Sequence, residues 1–219
     1  MRALLDLIFP ASCAGCGRAG ALVCVLCQDE LARPAELRWP TPRPPHLPAP
    51  YAVATYDGSV RAMVLAYKDR DAVGLTTTLA TALRSSLAVA ATTAGEAPLV
   101  VAVPSTRSAS RRRGYDPLLR LARAAGCRPV PSALMHVRAV RDSVGLTAAD
   151  RADNLAGALA VRDDLGPCLR GRTVVIIDDV VTTGATLTEA ARALRAVGAT
   201  VPCAAVIAAT RRRGDKGHE

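Results

Sequence analysis

The chain has 219 residues, half of them apolar and only 3% aromatic, with a formal net charge of +9. That length is more than one average domain and less than two, and the apolar share is ample for a core built mainly from Ala, Val and Leu. No apolar run reaches the ~18–20 residues that cross a bilayer, which argues against a membrane-inserted helix. The basic excess fits polyanionic partners (phosphorylated small molecules, nucleic acid or an anionic surface) and fits equally well an Arg-rich solvated exterior.

Four of the seven cysteines lie in residues 1–33, as Cys13-x-x-Cys16 and Cys24-x-x-Cys27. An odd number with two tight pairs reads poorly as a disulfide framework and better as metal ligation in a reducing cytosol. Two such turns can point four sulfurs at one tetrahedral Zn2+, with iron–sulfur and redox readings as alternatives. A block this small has no core of its own, so a structural zinc would supply its folding energy. Pro10-Ala11-Ser12-Cys13 invites comparison with a lipoprotein cleavage site, but Ala3 to Phe9 is short for a signal core and is broken by Asp6. A cytoplasmic protein is therefore expected. Cys127, Cys168 and Cys203 stand alone and read as small buried residues.

Residues 34–50 are rich in proline, which fixes φ and donates no hydrogen bond, so they read as an extended linker. Trp39 within them pins the linker to the domain or stacks on a base. Residues 51–210 read as one α/β domain and the polar residues 211–219 as a disordered tail. The elements in order are a strand over Tyr51–Tyr56, a turn at Asp57-Gly58, and helices over Val60–Tyr67 and Leu75–Ala90. A strand over Leu99–Val103 ends at Pro104, and a helix over Leu118–Ala125 stops at Gly126. Thr147 and Asp150 have capping-box spacing for a helix to about Ala158. Thr173–Ile177 is a β-branched run of the kind buried on both faces of a sheet. A helix over Thr186–Val197, closed by Gly198, and a strand over Val201–Ala209 follow. Alternating strands and helices argue for a mostly parallel sheet flanked by helices.

The most informative stretch is Val174-Val175-Ile176-Ile177-Asp178-Asp179-Val180-Val181-Thr182-Thr183-Gly184-Ala185-Thr186. An apolar strand ends in two acids, and a hydroxyl-rich Gly turn opens a helix. Ligands of open α/β folds bind at that end of the sheet. A helix N-terminus offers unpaired N–H groups and the positive end of its dipole to a phosphate, and Gly184 permits close approach. Thr182, Thr183 and Thr186 add donors without charge. Asp178 and Asp179 suit ribose hydroxyls or a nearby divalent cation, because acids beside a phosphate loop need a diol or a metal between them. A plain strand end and helix cap would account for one acid, not for two followed by Thr-Thr-Gly-x-Thr.

This stretch resembles the phosphoribosyl-pyrophosphate signature of type I phosphoribosyltransferases. The resemblance implies a five-stranded parallel core, a flexible loop, a pyrophosphate loop and a variable hood. It gives the ribose diol to Asp178 and Asp179, the candidate catalytic pair, and the 5-phosphate to Thr182–Thr186, with Val180 and Val181 leading in. Mg2+ would bridge pyrophosphate and ribose. The turn at Pro104-Ser105 would wrap pyrophosphate, with Arg107 and Arg113 in a cationic loop closing over it. A solvated basic loop, or one gripping nucleic-acid phosphates, would carry the same arginines. Lys68 is a weaker candidate to face the ligand.

Over nearly its whole length the chain is similar to the ComF/GntX family. The carrying segments are Leu-Ile-Phe-Pro-Ala-Ser-Cys-Ala-Gly-Cys (7–16), Tyr-Asp-Gly-Ser-Val-Arg (56–61), Leu-Ala-Tyr-Lys-Asp-Arg (65–70), Arg-Arg-Gly-Tyr-Asp (112–116), residues 145–159 and the 174–186 motif. That likeness implies an N-terminal zinc ribbon and a link to DNA uptake in natural competence. It also makes Arg151 and Asn154, three apart on one helix face, candidates for the site; a capped surface helix with a polar face explains them equally well. Two departures matter. Tyr115-Asp116-Pro117 stands where the family has Phe-Asn-Gln, and Ser143 where it has Gln, so any acceptor contact of those amides does not carry over to this chain, whereas the ribose-phosphate cradle does.

Two functions fit. One is a phosphoribosyltransferase that displaces pyrophosphate from 5-phosphoribosyl-1-pyrophosphate toward an acceptor the sequence does not identify. The other is a non-catalytic ligand sensor that handles single-stranded DNA. No dedicated general base stands out, since His46, His136 and His218 have no motif around them. The enzyme is favoured, and the oligomeric state is left open.

Overall fold

The computed structural model describes residues 12–105, 114–138 and 147–210. The main sheet is organised around β7 (Thr173–Ile177), whose β-branched run is extended because branching at Cβ favours the pleated surface. It runs parallel to β4 (Leu99–Ala102) on one side and to β9 (Thr200–Ala205) on the other. β9 pairs in parallel with β2 (Ala49–Ala52), and β1 (Glu36–Leu37) closes that edge antiparallel, giving the order β1-β2-β9-β7-β4. Three short parallel strands, β3 (Ala54–Thr55), β10 (Ala208–Ala209) and β8 (Val180–Val181), continue β2, β9 and β7 beyond a break in each.

Successive side chains of a strand point to opposite faces. Val174 and Ile176 pack with Leu187, Ala190 and Leu194 of α7 (Ala185–Ala196) on one side of the sheet. Val175 and Ile177 pack on the other side, against α2 (Gly58–Asp69), α3 (Thr76–Ala94) and α4 (Pro117–Ala124). With few aromatics, the contact layers are Ala, Val and Leu. Tyr67 is the largest fully buried side chain, and its hydroxyl donates to the Pro117 carbonyl at 3.3 Å. An α/β fold with a parallel sheet and flanking helices is thus what the sequence pattern predicts and what the chain forms.

Two features lie outside that pattern. β5 (Leu134–His136) and β6 (Leu159–Val161) form a separate antiparallel pair, and α5 (Ala148–Leu155) lies between them in the chain. α5 opens with the expected reciprocal capping box of Thr147 and Asp150, and it ends at Leu155 rather than Ala158 because Gly157 turns the chain at φ 68°. A short α6 (Gly166–Leu169) leads into β7.

The proline-rich stretch is docked on the domain. Glu36–Leu37 pairs with Tyr51–Ala52 at the sheet edge, where missing proline donors cost no ladder bond. Leu47 is buried, and Arg195 Nη1 donates to the His46 carbonyl at 2.7 Å. The N-terminal cysteine block is docked as well. Cys13, Cys27 and Leu31, the last two on α1 (Val25–Leu31), share the core cluster of α2 and α3, and Glu30 accepts from the Ser59 hydroxyl. Among the described residues no helix is long and apolar enough to cross a membrane.

Candidate functional site

Asp178 and Asp179 occupy the break between β7 and β8. The backbone is pinned there from both sides: Asp178 N donates to the Ala205 carbonyl at 3.2 Å, and the Asp179 carbonyl accepts from Ile207 N at 2.9 Å. Asp178 Oδ1 accepts from the Asp179 N–H at 2.8 Å. Both carboxylates are therefore fixed at the carboxyl end of the most buried strand. Burial, and then the adjacent Asp179 carboxylate, push the Asp178 carboxyl well above the usual carboxylate range, against the pull of Lys68.

The following turn is held open as a loop. Thr210 N donates to the Val181 carbonyl at 3.0 Å, and Thr210 Oγ1 to the Thr182 carbonyl at 2.9 Å. Gly184 is the N-cap of α7 at φ 81°, a left-handed conformation that side chains with a Cβ adopt at a cost. A Cβ there would also lie 2.9 Å from Leu47 Cδ2 and 3.3 Å from Pro44 Cγ. The proline-rich segment thus backs the loop that the sequence assigns to phosphate.

Thr182 and Thr186 line a cavity of about 300 Å³ together with Asp178, Asp179 and Val180. Pro104 and Ser105, just past the end of β4, line it too, so two predicted segments far apart in the chain meet in one space. Thr183 and Ala185 face instead a larger groove of about 1010 Å³, between the proline-rich segment and the α5–α7 side of the domain. Val181 is buried beneath the loop. Arg107 and Arg113 lie outside the described residues, as does Ser143. Arg151 and Asn154 are not brought into the small cavity: Asn154 is buried and the Arg151 Nε is enclosed.

The structure adds Tyr56, Pro117 and Leu118 to the site and brings in Lys68, the weaker candidate of the sequence. Tyr56 follows β3, while Pro117 and Leu118 open α4, and all three line the small cavity. Asp116 caps α4 by accepting from Leu118 N at 2.9 Å and Leu119 N at 3.1 Å. The departure at Tyr115-Asp116-Pro117 is therefore a helix-starting device. Lys68, in the last turn of α2, reaches Asp179 Oδ2 with its Nζ at 2.5 Å. Burial works against this ammonium, but Asp179 and, less strongly, Asp178 keep it protonated well above the ordinary lysine value. Burial also raises the Tyr56 hydroxyl, so it stays a neutral donor beside the pair.

The four N-terminal cysteines come together, with all their sulfurs within 4.8 Å of one another and Cys16 Sγ 3.6 Å from Cys24 Sγ. Four thiolates at ~2.3 Å from a tetrahedral Zn2+ stand about 3.8 Å apart, so the cluster fits such an ion. Burial opposes charge on Cys13, yet the backbone N–H of Cys24, 3.3 Å from its Sγ, and those of Cys16 and Gly15 bring the thiol down to about 6. Amides aimed at a sulfur in this way support the thiolate that a metal requires. Gly15 is needed for closeness, since a Cβ would lie 2.9 Å from Cys27 Sγ. The cluster can hold a metal such as zinc.

The sequence pattern of the phosphoribosyl transferase domain family matches residues 78–218. Adenine phosphoribosyltransferases of Mycobacterium avium and Mycolicibacterium paratuberculosis are each 67% identical to this chain over 39 residues, 18% of this chain and 22% of the relative. The chain thus spans about a fifth of the length of the curated relatives it matches.

Proposed function

The chain belongs to the phosphoribosyl transferase domain family, and on that premise we propose that its small cavity binds 5-phosphoribosyl-1-pyrophosphate and transfers the phosphoribosyl group. The observation that carries this is the meeting of the acid pair, Thr182, Thr186 and Pro104-Ser105 around one cavity of about 300 Å³. In this proposal Thr182, Thr186 and the N-terminus of α7 hold the 5-phosphate, and Asp178 and Asp179 accept from the ribose hydroxyls. Ser105, with Arg107 and Arg113 further along the chain, takes pyrophosphate. The acid pair supplies the hard oxygen donors that Mg2+ prefers, so the site fits that ion beside the diol. Mg2+ there would neutralise charge on the departing pyrophosphate.

Fixing both ends of the sugar positions C1 for displacement, and charges already in place stabilise the leaving group. The acceptor is a nucleophile of a class still to be found. Membership of the ComF/GntX family, a cytoplasmic setting and a division into a cysteine module (1–33), a proline-rich segment (34–50), the catalytic domain (51–210) and a tail (211–219) belong to the same proposal. A second reading, a sensor that handles single-stranded DNA, is supported by the net charge of +9 and the docked cysteine cluster. It gains nothing from Trp39, one face of which is covered by the Arg43 guanidinium 3.4 Å from the ring centroid.

The test is calorimetric titration of the zinc-loaded protein with phosphoribosyl pyrophosphate, with and without Mg2+, beside Asp178→Asn/Asp179→Asn. Mg2+-dependent binding that the double variant loses supports the proposal. A folded wild-type protein that does not bind overturns it, and DNA binding that weakens steeply with salt then supports the sensor.

A further inference from the structure

Lys68 lies outside residues 78–218, yet it reaches the centre of the site. Among the described residues lining the small cavity it is the one cation. It is also chemically unusual for this chain. Of 28 basic residues apart from histidine, only Lys68 and Lys216 are lysines. An arginine would clamp a carboxylate through two parallel bonds, whereas an ammonium is a compact charge on a flexible stem that exchanges partners easily.

Resting on the phosphoribose reading of the same cavity, we infer that Lys68 makes the site selective for ribose 5-phosphates that carry a 1-pyrophosphate. Without ligand, Lys68 neutralises Asp179 across 2.5 Å. A ribose diol arriving at Asp179 replaces part of that contact with neutral hydroxyls. Only a ligand with anionic oxygens on C1 then offers the ammonium a second partner. Ser105 and Pro104 line the same cavity, on the side to which the phosphoribose reading gives those oxygens. Ribose 5-phosphate supplies the diol but no such partner, so it must compete with the ion pair uncompensated. Lys68 is on this view a ligand-contacting specificity residue supplied by α2.

Isothermal titration of wild type, Lys68→Met and Lys68→Arg with phosphoribosyl pyrophosphate and with ribose 5-phosphate, at one Mg2+ concentration, tests this. Wild type is expected to prefer the pyrophosphorylated ligand. Lys68→Met should lose about tenfold or more for that ligand while holding or gaining affinity for ribose 5-phosphate, because a close charge partner is lost for one ligand and a competitor is removed for the other. Lys68→Arg should recover only part of the preference, because a guanidinium clamped on Asp179 exchanges partners less easily. An unchanged ratio of affinities in Lys68→Met overturns the inference and leaves the cradle standing. A wild-type protein that binds neither ligand overturns both. Should Lys68→Met fail to fold, reductive 13C-methylation of the wild type labels two lysines that NMR can separate. The Lys68 signal should then move further with phosphoribosyl pyrophosphate than with ribose 5-phosphate, and equal movement with both sinks the idea.

Discussion

Asp178 is held where its charge is least favoured, half-buried and desolvated beside a second carboxylate. A carboxyl whose folded pKa lies above its unfolded value binds protons more tightly in the native state. Stability from this group is therefore greatest at low pH and falls as pH rises from the ordinary aspartate value through the raised one. Asp178→Asn removes that penalty. It is expected to stabilise the ligand-free protein at pH 7 by about 1 kcal/mol, roughly 2–4 °C in Tm for a chain of this size, while weakening ligand binding. Thermal melts across pH check this, and an unchanged or lowered Tm at neutral pH contradicts it. Gly184 carries the opposite cost. Gly184→Ala must hold φ 81° with a Cβ 2.9 Å from Leu47 Cδ2. A loss of about 1–3 kcal/mol follows from strain and overpacking, read as a lowered denaturant midpoint.

At the scale of elements, α7 follows the Thr-rich loop at its start and is tied to β6 further along. Glu189 is buried, accepts from Leu159 N at 2.9 Å and pairs with Arg192 at 2.8 Å, while Arg192 Nη2 donates to the Leu159 carbonyl at 2.7 Å. Burial disfavours the Glu189 carboxylate, but Arg192 and the Leu159 and Gly157 amides hold it below its usual range. Its stabilisation is present above the unfolded glutamate pKa and is lost as pH falls through the depressed one. Glu189→Ala strands the buried Leu159 N–H and releases a half-exposed guanidinium, and should cost about 1–3 kcal/mol in chemical denaturation, with Glu189→Gln costing less. The sequence shows β7 and α7 plainly, because a continuous β-branched run and a capped, periodic helix are local signals. It does not show β5 or β6, which span three residues each and owe their extension to pairing with one another. The acid pair and its Thr-rich loop were legible for the same local reason. The Lys68–Asp179 pair was not, since nothing near Lys68 in the chain says that α2 ends against the break after β7.

Across the whole molecule, the cysteine block and the parallel sheet share one core. Cys13, Cys27 and Leu31 lie in the same cluster as Met63, Tyr67 and Leu79, so two of the four candidate ligands double as core residues. Each large apolar side chain fully buried there contributes roughly 1.5–3 kcal/mol, and its burial depends on the block keeping its shape. That shape depends on four sulfurs gathered within 4.8 Å, an arrangement that thiols without a metal have little reason to keep. Chelation should therefore act well beyond the N-terminus. Protein purified without chelator is expected to carry about one zinc per chain, measured by elemental analysis, as a single tetrahedral site of four thiolates implies. Stripping the metal should lower Tm in calorimetry as a shift of the main unfolding transition, because α1 is part of the core that holds α2 and α3 in place. A small separate transition, with the main one unmoved, would mean that the block folds and unfolds on its own. Because α2 also delivers Lys68 to Asp179, the shared-core arrangement makes a further demand: the stripped protein should bind phosphoribosyl pyrophosphate more weakly, although no cysteine lines the cavity among its described residues. Equal affinity before and after chelation would separate the metal from the site.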